Sequence, residues 1–287
     1  MKWPGGARCA FNLGFDMDAD TIWRNKTGRY PHGADYIKGP SIGQYGPLTG
    51  VYHILDILDE FGLKGTFFIP ALAVEKYAST VEAIIDRGHE ISHHGYDHRG
   101  EYGEDFEAQR ERFLLCSEIF MRVAGVRPLG VRQTGPLLPE TERWLYNEGG
   151  YTYASNGTSG EACEFYLVDG EPTKAVNIPC RDEQTDDYTQ TVFHTWPAVL
   201  EGMPRIAAFD TVCRNWMREI EGCIRFGNAG STAFHPQISG TPGRSMLLRQ
   251  FCRYLADSED VWCAPCRDIA EWAARELGER PGEERQS

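Results

Sequence analysis

Residues 51–92 read VYHILDILDEFGLKGTFFIPALAVEKYASTVEAIIDRGHEIS, a stretch that alternates helical and extended patterns. Apolar residues recur at helical spacing over 51–58, and a β-rich run follows at Thr66–Ile69. A second helix is predicted over 79–88, before a short strand at Glu90–Ser92. Parallel strands need such helical connections because they cannot be joined by tight turns, so this stretch predicts a parallel sheet.

The same alternation extends on both sides of this stretch. Further strands are predicted at Arg8–Phe15, Leu129–Arg132, Tyr151–Ser155, Ala175–Ile178, Ser231–Phe234 and Val261–Cys263. Further helices are predicted at Glu104–Val123, Pro139–Asn147, Phe209–Phe226, Ser245–Leu255 and Asp268–Leu277. About seven repeats predict an α/β fold whose parallel sheet is closed or nearly closed into a barrel. In such folds the chemistry lies at the carboxyl ends of the strands.

The composition is that of an ordinary globular protein with an acidic balance. The 287 residues include 29 Lys and Arg against 42 Asp and Glu, a formal net charge of −13 with His neutral. This excess of acid repels phosphate backbones and anionic lipid, so neither nucleic acid nor a membrane is an expected partner. A strongly anionic substrate is also less expected, unless local cations offset the charge. Nine scattered cysteines and the lack of an apolar leader favour a cytoplasmic location.

Residues 21–47 are rich in Gly, Pro and Tyr and show no periodicity. A stretch of this length without regular structure predicts a lid or binding loop within a single domain spanning residues 1–287. The charged tail 278–287 is predicted to be frayed. Three aromatic side chains are the candidates for contact with a small-molecule substrate: Trp23, Tyr45 and Tyr96.

Two acids close the first predicted strand, in the segment FDMD of residues 15–18. Carboxylates two positions apart in a strand point the same way, so Asp16 and Asp18 converge. Their convergence costs energy unless a cation or a shared proton relieves it. Other acidic motifs do not fit: an EF-hand loop would need Gly and Glu where Thr21 and Thr27 stand. A phosphatase-type D-x-D-x-[TV] motif also fails, because an acid occupies the position of its Thr or Val.

Residues 88–98 read GHEISHHGYDH and hold four of the eight histidines. His89 and His93 match the HExxH pattern of zinc proteases, but that motif needs a helix to place both rings on one face. On the predicted strand the two rings would lie ~13 Å apart, at ~3.3 Å per residue, which is too far for one ion. The protease interpretation is therefore disfavoured.

A second pair of histidines in this segment fits a metal site better. A glycine-containing turn can bring His94 and His98 together without a helix. With Asp18 from the neighbouring strand they form a set of two imidazoles and one carboxylate, which suits Zn²⁺ or another divalent transition metal. Either histidine alone would be read as a hydrogen-bonded structural residue. The two together, beside a pair of acids, favour the metal site.

These motifs resemble those of the polysaccharide deacetylase (NodB-homology) superfamily over roughly residues 8–275. The acid pair of residues 16–18 matches the first motif, and residues 94–98 match the second. Residues 130–132 resemble the third motif, and residues 232–236 resemble the last. The resemblance implies a single-domain, distorted (β/α)7-type barrel.

Two departures point to a subgroup. The first-motif acids are separated by Met17 instead of adjacent, and Gln133 stands where the third motif usually continues with Pro. These features resemble an intracellular branch that contains cyclic imide hydrolases, allantoinase-like enzymes and a Helicobacter-type deacetylase. The resemblance also suggests a homo-oligomer, either a dimer or a tetramer. The change in the third motif leaves the oxyanion-hole donor open.

Each motif residue can be assigned a role on this basis. Asp16 would accept the proton of the attacking water, and Arg132 could hold Asp16 by a bidentate contact. His235 would protonate the leaving nitrogen. Three residues would hold the metal: Asp18, His94 and His98. Acids of the polar loop that follows Ala175–Ile178 are candidates for supporting contacts: Asp182, Asp186 and Asp187.

The residue set predicts hydrolysis of a non-peptide C–N bond by a metal-dependent enzyme. A small intracellular amide, ureide or cyclic imide is the first expected substrate. The alternative is N-deacetylation of an amino sugar or glycan, where aromatic side chains would stack on sugar faces. A third hypothesis is a carbohydrate-binding relic without turnover. Such a relic would not need both Asp16 and His235.

Overall fold

The computed structural model describes residues 1–100, 103–156, 160–180, 185–191 and 208–278. The predicted frayed tail lies outside the described residues beyond Gly278, and Asp182 lies outside them as well. Within the described part of the chain, each helix is too short or too polar to cross a bilayer.

Within the described residues, ten strands form two sheets. They are β1 (Cys9–Asn12), β2 (Gly14–Asp16), β3 (Thr66–Ile69), β4 (Glu90–His93), β5 (Gly130–Val131), β6 (Tyr153–Ala154), β7 (Phe165–Val168), β8 (Glu171–Asn177), β9 (Ala229–Ser231) and β10 (Val261–Cys263). The three-stranded sheet has the order β10-β1-β9, and the seven-stranded sheet has the order β2-β3-β4-β5-β6-β8-β7. All pairs are parallel except β7 with β8, a hairpin that the sequence patterns do not predict.

The two sheets are joined by isolated bridges. Phe15 in β2 pairs with Phe234 just beyond β9, and Cys180 just beyond β8 pairs with Ser231 in β9. The strand β1 belongs to the three-stranded sheet, and β2, which begins two residues after β1 ends, belongs to the seven-stranded sheet. The two sheets are therefore continuous parts of one curved wall. The architecture is an α/β fold of the distorted (β/α)7 barrel type, as predicted.

Helices fill most of the connections between parallel strands. The longer ones run over Val51–Glu60, Ala78–Asp86, Phe106–Ala124, Pro139–Asn147, Phe209–Phe226, Pro242–Ala256 and Cys266–Leu277. The predicted bounds of Pro139–Asn147 and Phe209–Phe226 are confirmed. The first of these helices begins with Pro139, and the second is followed by Gly227 in the left-handed conformation. Both residues are typical signals of helix ends, so the sequence predicts these ends.

Residues 21–47 are not a structureless loop, which corrects the prediction. They contain the helices Thr21–Thr27 and Lys38–Tyr45 and a 3-10 turn at Gly33–Asp35, and a π-helix begins at Gly46. Such short pieces show too few turns to produce a periodic signal. They are held by packing, because a Cβ at Gly43 would lie 2.2 Å from the carbonyl oxygen of Ala19.

Aromatic side chains fill the centre of the molecule beneath the strand ends. The rings of Phe15 and Phe67 stack with centroids 4.9 Å apart, and Trp216 meets Phe234 at 4.6 Å. All four are buried. Burying one such side chain contributes roughly 1.5–3 kcal/mol, so this layer is a rigid base for the residues above it.

Candidate active site

The carboxyl ends of neighbouring strands carry the predicted site residues. Asp16 ends β2, His94 follows β4, and Arg132 follows β5. His235 follows Phe234, whose bridge to Phe15 places it beside β2. Parallel pairing therefore gathers residues from four distant parts of the sequence at one end of the barrel.

Asp18 is fully buried and lies among three imidazoles. Its Oδ1 is 3.4 Å from His94 Nε2 and 3.4 Å from His98 Nε2, and its Oδ2 is 3.6 Å from His235 Nε2. Neither carboxylate oxygen has a hydrogen-bond partner among the described residues. A buried carboxylate without hydrogen bonds is costly unless a cation occupies its lone pairs.

The donor set fits a divalent ion. One oxygen of Asp18 and one nitrogen each of His94 and His98 lie within 4.8 Å of one another. Two imidazoles and one carboxylate with open positions suit Zn²⁺ and related metals.

Local backbone geometry explains how two histidines four positions apart converge outside a helix. Gly95 has φ 73° and His98 has φ 62°, so the chain turns sharply between them. The Nδ1 of His94 donates to the carbonyl oxygen of Arg132 at 2.8 Å, which leaves Nε2 facing Asp18. This contact assigns the tautomer that a metal ligand needs.

The electrostatics of the cluster depend on the negative charge of Asp18. Burial opposes its ionisation, but the surrounding imidazoles, His98 first, outweigh this effect and lower the pKa of Asp18 to about 2. Burial also disfavours charge on His94, but the carboxylates of Asp16 and Asp18 raise the pKa of His94 overall. At His98 burial prevails and lowers the pKa. The site therefore presents a carboxylate to whatever cation it holds.

Arg132 is buried and every one of its N–H groups has an acceptor. Nη1 donates to Asp16 Oδ1 at 2.6 Å and to the Thr232 carbonyl at 3.0 Å. Nη2 donates to the hydroxyls of Ser155 and Ser231, and Nε donates to the carbonyl of Ser155. The predicted bidentate contact with Asp16 is corrected to a single hydrogen bond, because the remaining donors are taken by these neighbours.

His235 is fixed by Asp187, one of the three loop acids that the sequence analysis named as candidates for supporting contacts without choosing among them. Its Nδ1 lies 2.7 Å from Asp187 Oδ1, and its backbone N–H donates to Asp187 Oδ2 at 2.8 Å. The hydroxyl of Ser239 donates to the same oxygen at 2.6 Å. Burial disfavours charge on His235, but Asp187 raises the pKa of His235 well above its ordinary value. The raised pKa favours the protonated imidazole, and the Nε2 of His235 lies 3.6 Å from Asp18 Oδ2.

A second acidic group with His235 is a weaker candidate for a metal. Asp186, Asp187 and His235 also place ligand atoms within 4.8 Å of one another. However, both oxygens of Asp187 already accept hydrogen bonds. Because Asp18 has no such partners, the ion fits the cluster around Asp18 better.

Comparison with known proteins agrees with this geometry. The sequence profile described as "Polysaccharide deacetylase" matches residues 44–154. A solved structure of a candidate polysaccharide deacetylase from Mycobacterium smegmatis is 31% identical, with a TM-score of 0.87, over 100% of this chain and 98% of that chain. The chain belongs to the polysaccharide deacetylase family.

Other relatives align with this chain over a smaller part of their own length. A peptidoglycan deacetylase-like protein of Gibberella zeae is 28% identical over 71% of this chain and 56% of its own length. The peptidoglycan deacetylase of Helicobacter pylori is 26% identical over 41% of this chain and 39% of its own length. The chain thus matches about half or less of the length of these two relatives. The PuuE allantoinase structure shares the fold, with a TM-score of 0.79 and 24% identity over 96% of this chain and 94% of that one.

In this polysaccharide deacetylase family member, a cavity of about 400 Å³ opens over the site. Its wall includes Asp16, His94, His98, Arg132, Asp186 and His235. The rest of the wall is mainly polar or small, as at Gln133, Gly135 and Asn156, and it also includes the apolar Ile22 and the aromatic Tyr188. The cavity is sized for a small ligand or for one ring of a larger one.

None of the aromatic residues predicted to contact substrate lines this cavity. Trp23 is fully buried and packs with Ile22 and Tyr188 behind the wall. Tyr45 donates its hydroxyl to the Gly240 carbonyl at 3.4 Å, and Tyr96 packs against the main core. Trp23 instead packs against the wall residues Ile22 and Tyr188, and Tyr188 is an aromatic side chain that lines the cavity. Contact of Trp23, Tyr45 and Tyr96 with substrate stays a prediction.

His89 and His93, the HExxH pair, are structural. Both lie in or next to β4 rather than on a helix, as the sequence argument required. His93 stacks on Phe113 with centroids 4.7 Å apart, and burial lowers the pKa of His93 to about 3. Burial lowers the pKa of His89 to about 4. Both rings are neutral core residues at physiological pH.

Proposed function

We propose that this protein is a divalent-metal-dependent hydrolase that cleaves a non-peptide C–N bond in a small amide or cyclic imide. The observation that carries the proposal is the buried carboxylate of Asp18, which has no hydrogen-bond partner in the described structure and lies 3.4 Å from His94 and from His98. The family relationship supports amide hydrolysis as the reaction class.

The residues supply the parts that hydrolysis requires. Asp18, His94 and His98 would hold the ion, for which Zn²⁺ is the first candidate. A divalent ion at such a site provides a Lewis acid that polarises a carbonyl group and acidifies water.

Asp16 is placed to act as the general base. Its Oδ2 faces the cluster, 4.0 Å from His94 Nε2, while its Oδ1 is held by Arg132. The hydrogen bond from the Arg132 guanidinium fixes the direction of the Asp16 carboxylate. Asp16 can therefore take the proton of a water that attacks a carbonyl in the cavity.

His235 is placed to act as the general acid. Asp187 holds its Nδ1, His235 lines the cavity, and its Nε2 lies beside Asp18, where its proton can be donated to a bound substrate. Donation of that proton to the leaving nitrogen completes cleavage of the C–N bond. The presence of both Asp16 and His235 in the wall of one cavity argues against the relic hypothesis, since binding alone would need neither.

The cavity volume supports a small amide or cyclic imide, because about 400 Å³ is near the low end for ligand sites. The second candidate is N-deacetylation of an amino sugar. It is favoured by the Gibberella zeae and Helicobacter pylori relatives, which are named for peptidoglycan deacetylation.

The test compares both substrate classes on one preparation. The protein is loaded with Zn²⁺, its metal content is measured, and release of amine or ring-opened acid is followed with a hydantoin, a succinimide and N-acetylglucosamine. We expect turnover of a ring substrate, with Asp18→Ala as the inactive control. Turnover of N-acetylglucosamine alone would transfer the assignment to the second candidate. Failure of all three with a fully loaded protein would overturn both.

A further inference from the structure

A second cavity of about 750 Å³ adjoins the active site. The two cavities share Ile22 and His98 in their walls, so they adjoin at these two residues. The remaining wall of the second cavity comes from the helix Thr21–Thr27, the residues after it, and the turn after His98. Its charged members are all cationic: Arg24, Lys26, Arg29 and Arg99.

Part of this positive charge is neutralised within the protein. Arg24 pairs with the buried Asp20, and Arg99 Nε lies 2.7 Å from Asp97 Oδ2. Lys26 and Arg29 form no ion pair with any described residue. Because Asp20 is also paired with Lys76, the region keeps a net positive charge.

The basic wall is physically tied to the metal site. Asn25, on the same helix as Lys26, donates its side-chain N–H to the carbonyl oxygen of Asp97 at 2.9 Å. Asp97 immediately precedes His98. This hydrogen bond therefore holds the helix that carries Lys26 against the turn that carries His98, a proposed metal ligand.

This local charge is opposite in sign to that of the whole molecule, which carries −13. In an acidic protein, cations gathered in one cavity focus the field there and attract anions selectively to that position. Guanidinium and ammonium groups bind carboxylate and phosphate oxygens with charge-assisted hydrogen bonds.

We infer that the substrate carries an oxyanion group, a carboxylate or a phosphate, which binds between Lys26 and Arg29 while the scissile C–N bond lies beside His98. The inference rests on the proposed function and narrows its substrate class to anionic amides or imides. It also revises the expectation, drawn from net charge, that such a substrate is disfavoured.

The first test uses matched substrate pairs. A hydantoin carrying a carboxymethyl group at C5 is compared with one carrying a hydroxyethyl group, and an N-acetyl amine is prepared with the same two substituents. We expect kcat/KM to be about tenfold higher for the charged member of the productive pair, with the advantage shrinking as salt is raised. A phosphoethyl arm distinguishes the two oxyanion sources, and preference for either one supports the site.

Variants without these charges test whether Lys26 and Arg29 cause the preference for the charged substrate. The double variant Lys26→Met/Arg29→Gln should raise KM for the charged substrate about tenfold and leave the neutral substrate unchanged. The matched control Lys174→Met/Arg218→Gln removes the same charges from residues that line neither cavity and should change neither KM. Thermal melting checks that both variants fold.

A binding readout separates this inference from the proposed reaction. Calorimetric titration of the metal-free protein with the carboxymethyl hydantoin should show weaker binding in Lys26→Met/Arg29→Gln than in the control variant. Hydrolysis of charged and neutral partners at equal rates, with equal binding by both variants, would overturn the anionic subsite and leave the hydrolase assignment intact. Binding that depends on Lys26 and Arg29 without any hydrolysis would support the subsite and count against the reaction.

Discussion

Arg132 Nη1 donates to Asp16 Oδ1 across 2.6 Å, joining two buried residues that lie 116 positions apart in the sequence. The guanidinium also stacks on Phe68, with its carbon 3.9 Å from the ring centroid. Because its charge offsets that of Asp16, a second buried carboxylate can stand two positions away at Asp18. The pair thereby separates the two acids by role: Asp16 has an internal cation as its partner, whereas Asp18 needs an external one.

This separation predicts different phenotypes for the two acids. Asp16→Asn should keep the metal and lower kcat by 10²–10⁴, the usual contribution of a general base. Asp18→Ala should lose both metal and activity. Elemental analysis of the purified variants, alongside kcat with saturating substrate, makes the comparison. A fully loaded Asp18→Ala would refute the ligand assignment, and an active Asp16→Asn would refute the base.

Asp187 is predicted to position the general acid. Asp187→Asn keeps the shape but removes the charge that holds His235 protonated and correctly turned, so kcat should fall by roughly 10²–10⁴ with the metal retained. Ser239→Ala is the matched control, since it removes one hydrogen bond to Asp187 and leaves the contact with His235. It should cost much less activity. Equal losses in both variants would mean that Asp187 acts only by stabilising the local fold.

Most helices and strands could be predicted from the sequence because each is marked by residues within or next to it. The helices Pro139–Asn147 and Phe209–Phe226 have clear ends and apolar faces, so their bounds follow from the sequence. Residues 21–47 carried no such signal, because their short helices are stabilised by distant contacts such as that of Trp23 with Tyr188. The β7–β8 hairpin was missed for a related reason: β7 is only partly buried and lacks an alternating pattern.

Only part of the candidate site could be predicted from the sequence. Asp18, His94 and His98 could be grouped because acids and histidines stood at predicted strand ends. The partner of His235 could not be chosen among several loop acids, since Asp187 lies 48 positions away and nothing local marks it. The single hydrogen bond from Arg132 to Asp16 also depends on acceptors that only the folded chain supplies.

Glu90 is predicted to make stability depend on pH. It is buried, and it accepts hydrogen bonds from Thr66 Oγ1, Tyr153 OH and the Arg267 backbone N–H. Burial nevertheless raises the pKa of Glu90 above its ordinary value. Its contribution to stability is therefore complete below the unfolded-state pKa and is lost as pH rises through the higher folded-state pKa.

Glu90→Gln cannot titrate, so its free energy of unfolding relative to the wild type should increase as pH rises through that window. Urea unfolding at a series of pH values measures the difference. Glu118→Gln, at an exposed helix position, is the control and should run parallel to the wild type. Parallel curves for Glu90→Gln as well would show that the buried carboxyl does not titrate differently in the folded state.

Gly14 is predicted to be irreplaceable because of what surrounds it. A Cβ there would lie 2.4 Å from the Thr232 carbonyl oxygen, 2.6 Å from Ser231 Oγ and 2.9 Å from Arg132 Nη2. These are the groups that hold the guanidinium on Asp16. Gly14→Ala should therefore destabilise the fold by about 1–3 kcal/mol and lower kcat through misplacement of the base.

Gly222 offers a matched control for this substitution. It lies within the helix Phe209–Phe226, and a Cβ there would meet no atom within 4 Å. Gly222→Ala should stabilise the protein by roughly 0.5–1 kcal/mol, because alanine loses less backbone freedom in a helix, and should leave kcat unchanged. Denaturant unfolding and steady-state kinetics on both variants give the comparison. If Gly14→Ala matched the wild type in both measurements, the Arg132 network would have to tolerate displacement, and the close packing around Asp16 would not be what positions it.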